Sequence, residues 1–276
     1  MSHSQGHARP AAPTGNAATR PARQEEAHGA RPHTVYVFGT CLIDLFDPEA
    51  GLSAIEILER EGLRVVFPDA QSCCGQPAYT SGYPAEALAV AERQVQLFSA
   101  DWPIVVPSGS CAGMMKHHWP RLFGPDHPLA AQVAAVAARV YEFTEFLVRV
   151  LDVRLQDRGP PTRVVLHTSC SARREMGVHL TSAALLGQLT QVEVLHQERE
   201  TECCGFGGTF ALRHPELSAA MAKDKAEALA STGAAQLVSA DCGCLANLNG
   251  TLARAGSALQ GQHIATFLKS RLEPPT

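Results

Sequence analysis

The chain has 276 residues, enough for two core-forming domains of about 120 residues each. Its 45% hydrophobic content is that of a globular protein, and a net charge of −4 without clustered Lys/Arg gives no nucleic-acid footprint. No apolar run approaches the roughly 18 residues of a membrane span.

Residues 1–33 are rich in Ala, Pro, Gly, His and Arg and hold no aliphatic cluster, which predicts a disordered tail. The tail lacks the apolar core of about 7–15 residues that a signal peptide needs, and the adjacent Glu25 and Glu26 do not suit a transit peptide, so the expected location is cytoplasmic. A first strand then follows at Thr34–Thr40, TVYVFGT, running directly into Cys41. Ser53 with Glu56 three residues on reads as a capping box opening a helix over Ser53–Gly62. A second strand, LRVVFPD at Leu63–Asp69, leads to SCCGQPA with Cys73 and Cys74. Pro84 opens a helix over Pro84–Ala100 with Leu88, Ala91, Val95 and Phe98 on one stripe. A third strand, WPIVVPSGS at Trp102–Ser110, ends at Cys111.

Residues 121–159 join this half to the next, with an expected helix throughout Pro128–Leu151, closed by Pro160 and Pro161. The expected organisation is a tail over 1–33, a first domain over 34–159 and a second over 160–276. The second half repeats the order: TRVVLHTS before Cys170, VEVLHQ ahead of ECCGFGG with Cys203 and Cys204, a helix over Pro215–Ala234, and AQLVSADCG running into Cys244. Alternating strand and helix predicts α/β architecture, two pseudo-repeated Rossmann-like halves with parallel sheets. In such sheets ligands collect at the carboxyl ends of the strands, where these cysteines stand.

The cysteine spacing carries the repeat. Cys41 to Cys73 is 32 positions and Cys170 to Cys203 is 33; Cys74 to Cys111 is 37 and Cys204 to Cys244 is 40. The offset between the halves is 129 residues from Cys41 to Cys170 and 133 from Cys111 to Cys244, the period of a duplicated domain, because solenoid repeats run about 20–50 residues. Nine cysteines, an odd number without an export signal, argue against a disulfide framework. Neighbouring Cys73 and Cys74 have Cα atoms about 3.8 Å apart, too close for a relaxed bridge. Thiolates select soft metals, zinc or iron–sulfur clusters. Zinc sites pair ligands as C-x₂₋₄-C, whereas these pairs are adjacent or some thirty residues apart, which suits several irons each taking one thiolate. The glycine after each Cys-Cys permits a tight turn against a cluster.

Other groups have plainer readings. Cys242, two residues before Cys244, is either a ligand or a small buried hydrophobe. His167 and His196, at strand ends, either line a site or are satisfied core or surface histidines, the second being the plainer reading; His117 and His118 read as surface, and Phe206 and Phe210 as packing residues rather than electron conduits. Arg173 and Arg174 either face an anion or are solvated. No G-x-G-x-x-G follows a strand and opens a helix, so no dinucleotide fingerprint is present.

The twice-written Cys…Cys-Cys-Gly…Cys pattern resembles the cysteine-rich (CCG) domain family, whose members include one of the subunits of heterodisulfide reductase and the iron–sulfur subunit of glycolate oxidase. CCGQPAYTSGY, VPSGSC, ARREMG, ECCGFGGTF, MAKDKAEA and LVSADCGCLANLNG carry the likeness, over about residues 34–270. Its nearest branch works in bacterial L-lactate oxidation. The resemblance implies cluster ligands Cys41, Cys73, Cys74 and Cys111 in the first half. In the second it implies Cys170, Cys203, Cys204 and Cys244, with Cys242 as an alternative or additional cofactor-binding thiol. It further implies 4Fe–4S-type cofactors and an electron-transfer subunit of a complex that oxidises L-lactate to pyruvate. The partners would be the other iron–sulfur, lactate-utilization subunits; the resemblance assigns no catalytic residue to this chain. Three departures stand out. Met114 and Asn247 occupy the place of a fifth thiol in C-x-x-C, Thr168-Ser169-Cys170-Ser171 replaces Asp-Pro-Cys-His, and Cys242 is extra. Two alternatives remain open: a thiol–disulfide catalyst with a low-pKa exposed thiolate, and a zinc-stabilised scaffold without redox work.

Overall fold

The structure is a computed structural model that describes residues 31–273; the expected tail lies almost wholly outside them. The β-branched runs read from the sequence all form strands, and each half adds a fourth. Strands β1 (Thr34–Val37), β2 (Arg64–Val66), β3 (Ile104–Val106) and β4 (Val140–Glu142) make one sheet, in the order β2-β1-β3-β4. Strands β5 (Thr162–His167), β6 (Val192–Leu195), β7 (Gln236–Ser239) and β8 (Gln260–His263) repeat it as β6-β5-β7-β8. All pairings are parallel.

Parallel neighbours require crossovers. Helices Pro48–Arg60, Pro84–Val95 and Ala130–Ala138 supply them in the first half, and Val178–Leu186, Pro215–Ala230 and Cys242–Arg254 in the second. The chain passes from one side of each sheet to the other between β1 and β3, and between β5 and β7. These switch points open a crevice beyond the strands' carboxyl ends. Cys41 and Cys111 follow β1 and β3, and Cys170 and Cys244 follow β5 and β7 closely, so all four stand at those crevices.

Two local expectations give way, and one strand arises unannounced. The helix expected throughout Pro128–Leu151 breaks at β4, where Val140–Glu142 pair with Ile104–Val106; an open sheet edge takes the backbone bonds that a helix would have closed. The fourth strand of the second half, QGQH at Gln260–His263, has no apolar pattern to announce it. Ser53 opens no helix: the helix starts at Pro48, capped by Asp47, whose side chain accepts from the Ala50 amide, and Ser53 is buried within it, donating to Glu49.

Each half borrows a helix from the other. The helical run after β4, starting at Phe143–Glu145, packs on Val178–Leu186 of the second half, and Thr144 and Thr181 share a hydroxyl contact of 2.7 Å. Reciprocally, Ile264–Leu272 after β8 packs on Pro48–Arg60 of the first. Phe143, Phe146, Leu147, Phe267 and Leu268 thereby enter one core that contains strands from both sheets. Arg271 anchors the exchanged C-terminal helix to the connecting segment. Its guanidinium sits 2.6 Å from the fully buried Asp157 carboxylate and donates to the Pro160 carbonyl at 2.7 Å. A Cβ on Gly159 would fall 2.2 Å from that guanidinium, so the connecting segment passes beneath it on a residue without a side chain.

The two exchanged helices begin alike. Glu142 caps one by accepting the amides of Thr144 and Glu145, and His263 caps the other by accepting the amide of Ala265. Burial pushes the Glu142 carboxyl up to about 8, so its protonated form is favoured in the fold at neutral pH. A raised acid binds an extra proton in the folded state, so its contribution is complete below the ordinary carboxylate pKa and is lost as pH rises to about 8. Glu142→Gln is therefore expected to gain stability relative to the parent from pH 5 to 8, by at most about 1.4 kcal/mol per pH unit, and then level off. Urea unfolding of both proteins across that range checks it; a pH-independent difference would refute it.

Candidate metal centres

The four cysteines of each half come together from three strand ends. In the first set Cys41 Sγ lies 3.6 Å from Cys73 Sγ, and Cys74 Sγ lies 3.2 Å from Cys111 Sγ. A further thiol contact joins Cys73 to Cys74, so the sulfurs form one continuous chain. The second set repeats this: Cys170 Sγ is 3.8 Å from Cys203 Sγ, Cys203 meets Cys204, and Cys204 and Cys244 lie within 4.8 Å. In both sets the first two cysteines are part-exposed and the last two buried, so each set runs from the surface into the core. All nine cysteines are free thiols.

The local backbone explains the convergence. Gly75 and Gly205 adopt φ of +84° and +82°, turning the chain back so that their amides donate to the Cys73 and Cys203 sulfurs at 3.4 Å. The peptide between the paired cysteines and this glycine is held from behind. Trp119 Nε1 donates to the Cys74 carbonyl at 2.9 Å, and Asn247 Nδ2 to the Cys204 carbonyl at 2.8 Å. Asn247, standing in the place of a fifth thiol, thus positions the paired cysteines. Thr40, immediately before Cys41, is a β-branched residue at φ 57° and caps the helix Cys41–Phe46 with its hydroxyl.

The electrostatics single out one sulfur per set. The thiol donated by Cys41, then that of Cys74, holds Cys73 well below the ordinary thiol range; Cys170 and Cys204 do the same for Cys203. The donors move the other way: the bond to Cys73 and then burial raise Cys41, and the bond to Cys203 and then burial raise Cys170. Each set therefore presents a thiolate stabilised by sulfur and backbone donors, the ionised form that binds metal.

Cys242 faces elsewhere. Its thiol points at the Asp47 carboxylate, 3.6 Å away, and packs with Ile43 and Ala50 of the first half, while Cys244 turns to Cys204. His167 is the residue that the sequence undervalued. It is fully buried at the end of β5, its ring within 4.8 Å of both Cys204 and Cys244, and neither ring nitrogen has a hydrogen-bond partner among the described residues. Burial, with the Lys225 charge adding to it, pushes the imidazole down to about 3, leaving it neutral with a free lone pair. Lys225 is itself buried, donates to the Arg199 carbonyl, and is pushed down to about 8 by burial.

The remaining candidates serve packing and pairing. His117 and His118, expected at the surface, are half-buried and contact Glu175 of the second half at 3.1 and 3.2 Å. Arg173 and the exposed His196 both meet Glu200. The Phe206 ring lies on Gly243, where a Cβ would come within 2.4 Å of it. A depression of about 560 Å³ lined by Thr162, Arg163, Gln191 and Ala235 sits at the amino end of the second sheet, opposite the thiols, and holds no cysteine. No helix among the described residues is long and apolar enough to cross a membrane.

The donor chemistry fits a thiolate-bound metal cluster. Each set offers four sulfurs, amide donors to sulfur, and a glycine cradle that a Cβ would crowd. Comparison with known proteins agrees with the repeat. Residues 35–116 and 164–249 each match the family described as Cysteine-rich domain (CCG). Lactate utilization protein A of Geobacillus sp. (strain WCH70) is 41% identical over 239 residues, spanning 86% of this chain and 99% of that protein. Lactate utilization protein A 1 of Bacillus cereus (strain AH820) is 40% identical over 237 residues, with the same coverage. Among solved structures, a hypothetical protein from Helicobacter pylori aligns with a TM-score of 0.61 at 10% identity, over 89% of this chain and 50% of that one, a likeness of fold.

Proposed function

The chain belongs to the cysteine-rich (CCG) domain family, and from that premise we propose that it is an iron–sulfur-binding electron-transfer subunit of a system that oxidises L-lactate to pyruvate. The observation that carries the cluster reading is the pair of four-sulfur chains, each assembled from three strand ends at a switch point. The lactate reading is supported by the names of the relatives.

Cys41, Cys73, Cys74 and Cys111 would hold one centre, and Cys170, Cys203, Cys204 and Cys244 the other. When bound, iron–sulfur clusters supply one-electron transfer without moving atoms of the substrate. The chain's own residues then act on that centre. Gly75 and Gly205 direct amides at the sulfurs, Trp119 and Asn247 fix the Cys-Cys carbonyls, and the buried inner cysteines keep water from one side. Lactate oxidation releases two electrons and two protons, so partner subunits would carry the lactate-oxidising chemistry and this chain would pass the electrons onward.

Anaerobic purification of the full chain is expected to give a brown protein with iron and acid-labile sulfide. The double variant Cys74→Ser/Cys111→Ser is expected to lose about half of the iron, because the second set is built independently. Colourless protein with titratable thiols would favour the thiol–disulfide alternative, and stoichiometric zinc the scaffold. Lactate-dependent dye reduction by the co-expressed partners, lost when this chain is omitted, tests the substrate.

A further inference from the structure

The two cysteine sets are not equivalent, and the difference lies in what packs behind them. Three residues before Cys170 stands His167; three residues before Cys41 stands Phe38, and both are fully buried. Ten residues into the helix Pro215–Ala230 stands Lys225; ten residues into Pro84–Val95 stands Gln94, again both buried. Gln94 is satisfied locally, accepting the Ser72 amide and donating to the Ser72 hydroxyl at 3.0 Å. The equivalent positions of the first half thus hold a hydrocarbon ring and a neutral amide. The second set is backed by an imidazole and an ammonium whose charge acts on Cys204, Cys244 and His167.

An imidazole buried with neither nitrogen partnered among the described residues is costly unless it has a use, since each unmet polar atom forfeits its hydration. Its ring nitrogen and the sulfurs of Cys204 and Cys244 all lie within 4.8 Å of one another, the spacing of groups that share one metal. We propose that His167 is a nitrogen ligand of the second centre, sharing its metal with Cys204 and Cys244, so that this protein carries one all-thiolate site and one mixed imidazole–thiolate site. Both centres have four thiolates and the imidazole adds no charge, so the positive Lys225 near Cys204 and Cys244 makes the second centre the more easily reduced. Electrons would then run from the first set to the second within the chain. This assignment rests on the metal-centre reading above and deepens it.

The test is pulsed EPR on the anaerobically purified, dithionite-reduced full chain, made with ¹⁴N- or ¹⁵N-histidine. The expected result is a histidine nitrogen coupling in the parent that changes with the isotope and is absent from His167→Phe, which copies the first half. His167→Cys, which keeps a fifth donor, is expected to retain the parent's iron content while losing the coupling, so that a folding failure of the Phe variant does not decide the matter. A parent with a cluster signal and no histidine coupling, or a coupling that survives in both variants, overturns the assignment and leaves the iron–sulfur reading standing. A parent without iron overturns that reading instead. The same question is then put with cobalt(II) added to the apoprotein, where a contact-shifted imidazole NMR resonance lost in His167→Cys supports the ligand and its absence from the parent refutes it.

Discussion

Asp241→Ala is expected to cost about 3–5 kcal/mol of unfolding free energy and to split one urea transition into two. Asp241 stands at the N-cap of helix Cys242–Arg254, where an aspartate ordinarily accepts an amide of its own helix, yet it makes no such bond. Both oxygens are spent on neighbours instead: Oδ1 accepts the Ser108 hydroxyl and the Ser110 amide at 3.1 Å, and Oδ2 accepts the Ser169 hydroxyl at 2.7 Å. Ser108 stands three residues before Cys111, as Asp241 does before Cys244, so equivalent positions of the two halves meet each other. Alanine leaves the buried hydroxyls of Ser108 and Ser169 and the part-buried Ser110 amide facing a void at the seam between the sheets. Asn is expected to cost only about 1–2 kcal/mol, because its oxygen keeps two of the bonds and its amide can donate to the Ser169 hydroxyl. If Ala and Asn prove equally mild, or if unfolding stays a single transition in both, the seam is held by the exchanged helices alone.

That seam is also what the sequence could not display. The strands before Cys41, Cys111 and Cys170 were legible because β-branched runs such as YVF, IVV and VVL carry their own signal, and the repeat was legible because cysteine and glycine are scarce enough for their spacing to stand out. β8 is Gln-Gly-Gln-His and pairs only because β7 offers an edge, so tertiary context decides it. The exchange of helices is a property of two chain segments some 120 residues apart, and no local pattern encodes it. His167 shows the same limit at the candidate site. As one of twelve histidines it reads as a residue near a strand end, and only its distance to Cys204 and Cys244 and its two unpartnered nitrogens set it apart. The place three residues before each lead cysteine, Phe38 in one half and His167 in the other, held the available clue: a repeat that breaks at a metal-ligating residue type.

Gly205→Ala is expected to cost about 2–5 kcal/mol, and Gly75→Ala distinctly less, although both follow a Cys-Cys pair. Both residues have positive φ, +82° and +84°, so an alanine at either pays the left-handed strain of about 1–2 kcal/mol. The difference is what lies beyond. A Cβ on Gly205 would come within 2.5 Å of the Ser218 carbonyl oxygen and 3.3 Å of the Ala222 amide nitrogen, both backbone of the helix Pro215–Ala230, while on Gly75 the nearest atom is the Ala87 carbonyl oxygen at 3.0 Å. Both neighbours are helix backbone, which has to move as a body, so the distance decides: 2.5 Å at Gly205 forces a shift that adds about 1–3 kcal/mol of overpacking, whereas 3.0 Å at Gly75 asks for a few tenths of an ångström. That movement reaches the sulfurs, because Gly205 donates its amide to Cys203 and the same helix carries Lys225 behind Cys204. Urea unfolding of the two variants gives the stability order, and iron per chain gives the consequence: Gly205→Ala should lose metal from the second set while the first is retained. Equal costs at the two positions, with iron unchanged, would mean that the glycine serves the turn alone and that the close approach of the helix has no part in shaping the centre.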